Sequence, residues 1–376
     1  MSAEFSALLA AGAPAQTAID EFLKAHTFPL VDPLGITFVY AGEASAVYLR
    51  MFVAGLPAAQ PLQRIGSSPL WALRLDLPPG SRFEYKFEVC RDGHSEWITD
   101  PLNPHLAQDP YGANSVGQGY GYQEPEWTQP DPAARRGGYA EHEIDGGAFG
   151  TRRVRVYLPA RFRRSRRYPL LMVHDGLDYL RYAALGVVLD NLIHRLEVAP
   201  LVVALLEPRE RLLEYVANDA HAEFVVDNVV PELERAYPLE AAAESRGLMG
   251  ASLGAVAALH CAWRHPGRFG RLLLQSGSFV FSDLGGHGRG PVFEPVARFV
   301  NAFRRAPGRP AGRCYMSCGI YESLIYENRS LLPVLARSLE VRLEEVNDGH
   351  NWQNWRDRQR AALSWLFPGP LWMVYE

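Results

Sequence analysis

A chain of 376 residues, 48% of them hydrophobic, can bury more than one core, and its length suits two domains better than one. The net charge of −4 is small and spread along the chain, which argues against nucleic-acid or other polyanion binding as the main function. No run approaches the roughly eighteen apolar residues of a membrane span, and no membrane association is expected.

The opening MSAEFSALLAAGAPAQ has an early acidic residue and no basic flank, so it does not read as a signal peptide. A short helix is expected over Thr17 to His26. Five segments with strand character follow: Ile36–Tyr40, Ala46–Val53, Leu70–Leu75, Phe83–Val89 and Glu96–Thr99. Gly/Pro turns separate them, and such spacing indicates a small antiparallel sandwich. From Asp100 to about Gly147 the chain is rich in Pro, Gly, Asn and aromatics and reads as an ordered linker. The domains are accordingly assigned to residues 1–130 and 131–376.

Beyond Thr151 strands and helices alternate. Strands are expected at Arg153–Leu158, Pro169–His174, Leu201–Leu206, Gly247–Met249, Leu272–Gln275, Cys314–Cys318 and Val341–Val346. Helices are expected at Tyr182–Leu196, Ala222–Ala236, Leu253–His265, Leu324–Leu339 and Trp355–Phe367. That alternation means an α/β fold, a mainly parallel sheet covered by helices on both faces. The arginine-rich run Arg161 to Arg167 falls between two strands and reads as a solvated loop. Cys90, Cys261, Cys314 and Cys318 show neither a disulfide framework nor zinc spacing, and read as free thiols of a cytoplasmic protein.

Gly250-Ala251-Ser252-Leu253-Gly254 is a G-x-S-x-G pattern with an apolar strand before it and a small-residue helix after it. In the α/β-hydrolase fold this arrangement is a nucleophile elbow: the glycines let the helix approach the sheet, and the serine hydroxyl stands at the apex of the turn. Ser252 is therefore the candidate nucleophile. The N–H of Leu253 is the first candidate oxyanion donor, and the second should come from Gly176 or Leu177, after the strand that ends at His174. His174 itself precedes the serine, sits at a strand end, and is assigned to holding that loop.

A serine hydroxyl needs a base, and in this fold the histidine follows the last strand. His350, in the loop after Val346, fits. The acid should follow the preceding strand, which selects Glu322; Glu327 and Asp348 remain as alternatives.

With those residues named, the chain resembles the enterochelin esterase family, within the wider esterase D-like group. The resemblance rests on Asp100-Pro101-Leu102-Asn103-Pro104, His174-Asp175-Gly176, Gly250 to Gly254, Gln275-Ser276-Gly277-Ser278, Gly319 with Glu322 and Asn328, and Asp348 to Trp355. It implies a serine esterase with Ser252, Glu322 and His350 as triad, preceded by an immunoglobulin-like domain. Some relatives of that domain stack sugars on tryptophan; Trp71 and Trp97 are here assigned to the sandwich core instead. Arg211 is a candidate substrate contact or a structural partner of Glu214, and Trp352 is a second candidate contact. The implied substrate is a small-molecule ester such as a catecholate siderophore, or else a glycan ester. Acyl transfer and a non-catalytic binding protein are the other readings. The chemistry needs no metal and no organic cofactor.

Overall fold

A computed structural model describes residues 14–51, 53, 56–282 and 287–370. The opening segment read above for a signal peptide lies mostly outside them. The chain divides into two units. One takes the residues up to Glu124 together with Gly319–Ser323 and Val346–Asn351; the other takes the remainder.

Among the described residues, the first unit opens on the helix Gln16–Ala25, which buries Ile19 and Phe22. Ten strands follow among the described residues, in chain order: β1 (Leu30–Asp32), β2 (Gly35–Ala41), β3 (Ala46–Met51), β4 (Ala59–Pro61), β5 (Gln63–Arg64), β6 (Leu70–Asp76), β7 (Arg82–Arg91), β8 (His94–Ile98), β9 (Leu106–Asp109) and β10 (Gly112–Gln118). They form two antiparallel sheets, ordered β1-β2-β6-β5 and β4-β3-β7-β10-β9, with β8 also pairing β7. Alternate residues of β7 (Phe83, Tyr85, Phe87 and Val89) face a core shared with Phe38, Tyr40 and Leu49, as the two-residue period of a strand requires. Phe38 packs edge-on against Phe83 and Tyr85.

The structure corrects two expectations here. The segment after Asp100 is not merely linker, since it supplies β9 and β10. Its Asp100 accepts from the Tyr85 hydroxyl at 2.6 Å, and the Asn103 amide donates to the same hydroxyl oxygen and to the Val116 carbonyl. Those bonds rely on side chains brought together by folding, so no local pattern announced the strands. Trp97 is not core either. It is 51% exposed, with the Arg50 guanidinium 5.1 Å from the ring centre, whereas Trp71 is buried. Strand β8 exposes residues on both faces along most of its length, which leaves the indole half in solvent beside Arg50.

The second unit is built on eight strands: β11 (Gly138–Ile144), β12 (Arg152–Leu158), β13 (Leu170–His174), β14 (Val202–Leu206), β15 (Arg246–Ala251), β16 (Arg271–Gln275), β17 (Arg313–Gly319) and β18 (Glu340–Val346). Their order is β11-β12-β14-β13-β15-β16-β17-β18. Strands β13 to β17 run parallel, whereas β11 and β12 add antiparallel pairs. The central strands β13, β14 and β15 are buried at every position, because helices cover both faces. One face packs Val225, Val256 and Val300; the other packs Leu189, Leu192 and Leu363.

Strand β11 was also hidden in the expected linker. The helix expected at Tyr182–Leu196 is two helices, Gly176–Tyr182 and Leu185–His194, separated at Ala184, whose φ is 47°. The last expected helix breaks into Trp352–Asp357 and Gln359–Leu366, and the one expected at Ala222–Ala236 carries a π-helical segment over Phe224–Val229. Glu294–Arg305, an amphipathic helix that buries Val296, Phe299, Val300 and Phe303, was not anticipated. All four cysteines are free thiols. Among the described residues no helix is long and apolar enough to cross a membrane.

Candidate active site

Strand β15 delivers Ser252 directly to the start of the helix Leu253–Arg264, with serine φ 56° and ψ −120°. A non-glycine residue at positive φ is strained, and such strain persists where the surrounding structure enforces it. The enforcement is steric. A Cβ on Gly250 would lie 2.3 Å from the Gly254 backbone, and one on Gly254 would meet His174 and Asp175 at 3.3 Å. The Ser252 N–H donates to the Gln275 carbonyl, and the Ser278 N–H donates to the Ser252 carbonyl. The two serine hydroxyls, Ser252 and Ser278, stand 3.1 Å apart. The N–H of Leu253 has no hydrogen-bond partner among the described residues.

The loop after β13 is rigid for identifiable reasons. Asp175 is left-handed (φ 55°), its N–H donates to the Tyr215 hydroxyl oxygen, and its carboxylate takes Nε and Nη2 of Arg211 at 2.9–3.0 Å. A Cβ on Gly176 would strike the Leu205 backbone at 2.5 Å, so only glycine allows this approach. Gly176 and Leu177 were equivalent oxyanion candidates on sequence, but the structure separates them. The Leu177 N–H is taken by the Glu207 carboxylate at 2.5 Å, while the Gly176 N–H has no partner among the described residues. Leu177 is therefore withdrawn as a donor. Burial pushes the Glu207 carboxyl up to about 7, against the pull of the Leu177 N–H.

Arg211 pairs with Asp175 and not with Glu214. Glu214 is held by Arg152 at 2.7 Å and by the N–H groups of Arg209 and Glu210. Sequence proximity suggested the wrong partner because the clamp reaches across to another loop. His174 is fully buried, with Nδ1 on the Met249 carbonyl and Nε2 3.1 Å from Nε2 of His221. Burial lowers its pKa to about 4, so it is neutral at pH 7, and its two ring nitrogens tie the end of β13 to β15 and to His221.

In the first unit, Glu322 is buried and His350 is half-exposed. Glu322 accepts the Gly319 N–H at 2.8 Å through Oε1, and Oε2 lies 2.7 Å from Nδ1 of His350. A neutral imidazole hydrogen-bonded in this way carries its proton on Nδ1 and keeps Nε2 as an acceptor. The other two candidate acids have different duties. Glu327 binds Arg289 at 2.6 Å and is pushed up to about 7 by burial. Asp348 accepts from the Gly349 N–H, the Asn351 amide and Arg82.

Trp352 packs in the second unit against Tyr179 and Trp355 at centroid distances of 5.2 and 4.8 Å. Behind it, the Trp355 indole donates to the Ser276 hydroxyl, and the Gln275 amide bridges the Tyr179 hydroxyl and the Trp355 carbonyl. Asn328 clamps Gly277 through both backbone groups. Ser278 was quoted above for resemblance only. Its place beside the Ser252 hydroxyl has no local signal, because it depends on how two strand-end loops meet.

A serine on a strand–turn–helix elbow, above a mainly parallel sheet covered on both faces, defines the α/β-hydrolase class. Within that class, the chain belongs to the family described as Putative esterase, whose model matches residues 149–366, more than half its length. It is 24% identical over 269 residues to the iron(III) enterobactin esterase of Escherichia coli O6:H1, covering 69% of this chain and 64% of that one. The chain thus spans about half to two thirds of the length of the enterobactin esterases it matches by sequence. The ferric enterobactin esterase structure from Salmonella typhimurium superposes with a TM-score of 0.75 at 18% identity, over 92% of this chain and 98% of that one. The Shigella flexneri enterobactin esterase, solved in the presence of enterobactin, gives 0.71 at 22% identity over 88% and 92%. At these identities the two structures establish a shared fold.

Proposed function

We propose that the protein is a serine carboxylic-ester hydrolase in which Ser252 is the nucleophile, His350 the general base and Glu322 the acid that orients it. The observation that carries this reading is the 2.7 Å hydrogen bond from His350 to Glu322, which leaves Nε2 as the basic nitrogen. In the reaction, His350 takes the Ser252 proton as Oγ attacks the ester carbonyl. The N–H groups of Leu253 and Gly176 receive the oxyanion. Collapse expels the alcohol, which leaves with the proton from His350, and a water molecule deprotonated by His350 then releases the acid and restores the serine. The two antiparallel sheets support the reading of the front unit as an immunoglobulin-like module. The four free thiols support a reducing, cytoplasmic setting.

For the substrate, kinship with enterobactin esterases favours an ester of the siderophore type. A second reading, an acylated carbohydrate, draws on the half-exposed Trp97 of the front unit, since an exposed indole is a surface for stacking a sugar. Labelling by a fluorophosphonate probe tests the chemistry: wild type should label and Ser252→Ala should not. Unlabelled wild type would favour a binding protein on the hydrolase fold. Incubation with enterobactin, followed by chromatography of the products, then tests the substrate, with an acetylated glucan as the competing trial.

A further inference from the structure

The loops that carry the acid and the base bond to each other, through Ile320 N–H to the Val346 carbonyl and Tyr321 N–H to the Asp348 carbonyl, and consecutive residues of the front sandwich also hold both. Arg82, at the start of β7, is fully buried on the face opposite Phe83. Its Nη1 donates to Asn351 Oδ1 at 2.8 Å and Asp348 Oδ1 at 3.3 Å, and its Nη2 donates to Glu84 at 3.1 Å. The Arg82 N–H donates to the Asn347 carbonyl at 2.8 Å, and the Asn347 amide donates to the Pro79 carbonyl. Asp348 in turn accepts the Gly349 N–H and the Asn351 amide. Positions 347, 348, 349 and 351 are thus tied down around His350. On the acid side, Tyr321 sits in the sandwich core with its hydroxyl 2.5 Å from that of Ser81, and Glu322 is the next residue.

A guanidinium with no access to water is costly unless it is paired; here Nη1 goes to the histidine loop and Nη2 to the Glu84 carboxylate of its own strand. We infer that Arg82 is a positioning residue for the proposed esterase, holding the His350 loop in register with Glu322, so that the front sandwich is a working part of the catalytic apparatus. This inference rests on reading His350 as the base.

The test uses the full chain with Arg82→Gln, Arg82→Lys, Asn351→Ala and Tyr321→Phe. The low-field proton resonance of His350 Nδ1–H, assigned by its loss in His350→Gln, reads the hydrogen bond to Glu322 without any need for catalysis. Turnover of p-nitrophenyl acetate against pH reads the consequence. Arg82→Gln should broaden or shift the resonance, lower kcat by about 10- to 100-fold with KM nearly constant, and move the acid limb of the pH profile. Arg82→Lys should recover part of each. A folded Arg82→Gln with the wild-type resonance and kcat overturns the inference. If that variant fails to fold, Asn351→Ala carries the decision, since it keeps Arg82 and removes its Nη1 acceptor in the His350 loop; an unchanged resonance and kcat then reject the inference, and Tyr321→Phe reads the acid side alone. If wild type turns over no ester but the resonance still depends on Arg82, the positioning stands and the esterase reading falls.

Discussion

Glu322 and His350 are 28 residues apart in the chain, and Oε2 of one meets Nδ1 of the other at 2.7 Å while Oε1 is anchored by the Gly319 N–H. The carboxylate is therefore oriented before it meets the imidazole. In Glu322→Gln the amide can turn its NH2 toward Nδ1, which favours the wrong tautomer. We expect kcat to fall by about three to four orders of magnitude with little change in fold, as measured by ester turnover and circular dichroism. A loss of less than tenfold would mean that another carboxylate does this work.

At the elbow, Gly250→Ala forces a methyl to within 2.3 Å of the Gly254 backbone, where no side chain can yield. Destabilisation of at least about 1–3 kcal/mol is expected, with loss of probe labelling at Ser252. Gly254→Ala, at 3.3 Å from its neighbours, should cost less. Thermal unfolding of the two variants side by side checks the order.

Much of this elbow is readable from the chain, because a nucleophile turn is local: five residues, the strand before and the helix after. The same holds for the His350 loop and for most of the central strands. The loop after β13 is different. Gly176 and Leu177 look alike by pattern, and only the Glu207 carboxylate, brought in from β14's far end, distinguishes them.

Glu207 also makes stability depend on pH. Its folded pKa, about 7, lies above the ordinary 4.5, so the folded state holds this proton more tightly than the unfolded state does. The associated stability is fully present below about pH 4.5 and is lost as pH rises through 7, amounting to about 3 kcal/mol at most. Glu207→Gln should reduce the slope of the unfolding free energy between pH 4.5 and 7, leaving the share that Glu327 contributes in the same window, and raise the free energy at pH 8. Denaturant melts of both proteins across that range read the slope directly.

Removing the guanidinium in Arg211→Ala leaves the buried Asp175 without its charged partner beside Gly176. Because Arg211 is 37% exposed, screening limits the loss to about 1 kcal/mol. The larger expected effect is kinetic, with kcat reduced about tenfold and KM changed less, because the left-handed Asp175 turn loosens. Steady-state kinetics on one activated ester suffice. A rise in KM alone would instead make Arg211 a substrate contact.

What the sequence determined by itself was the chemistry that depends on near neighbours: the alternation of strand and helix, the glycines around Ser252, and a histidine placed after the last strand. The tertiary structure decided which partner each polar group takes. Arg211 went to Asp175, Leu177 to Glu207, Trp97 to the surface, and Arg82 to the loop of His350, 268 residues from it in sequence. The physical reason is that a buried charge or N–H must find whichever complementary atom the packed chain brings within about 3 Å, and sequence separation does not enter that condition.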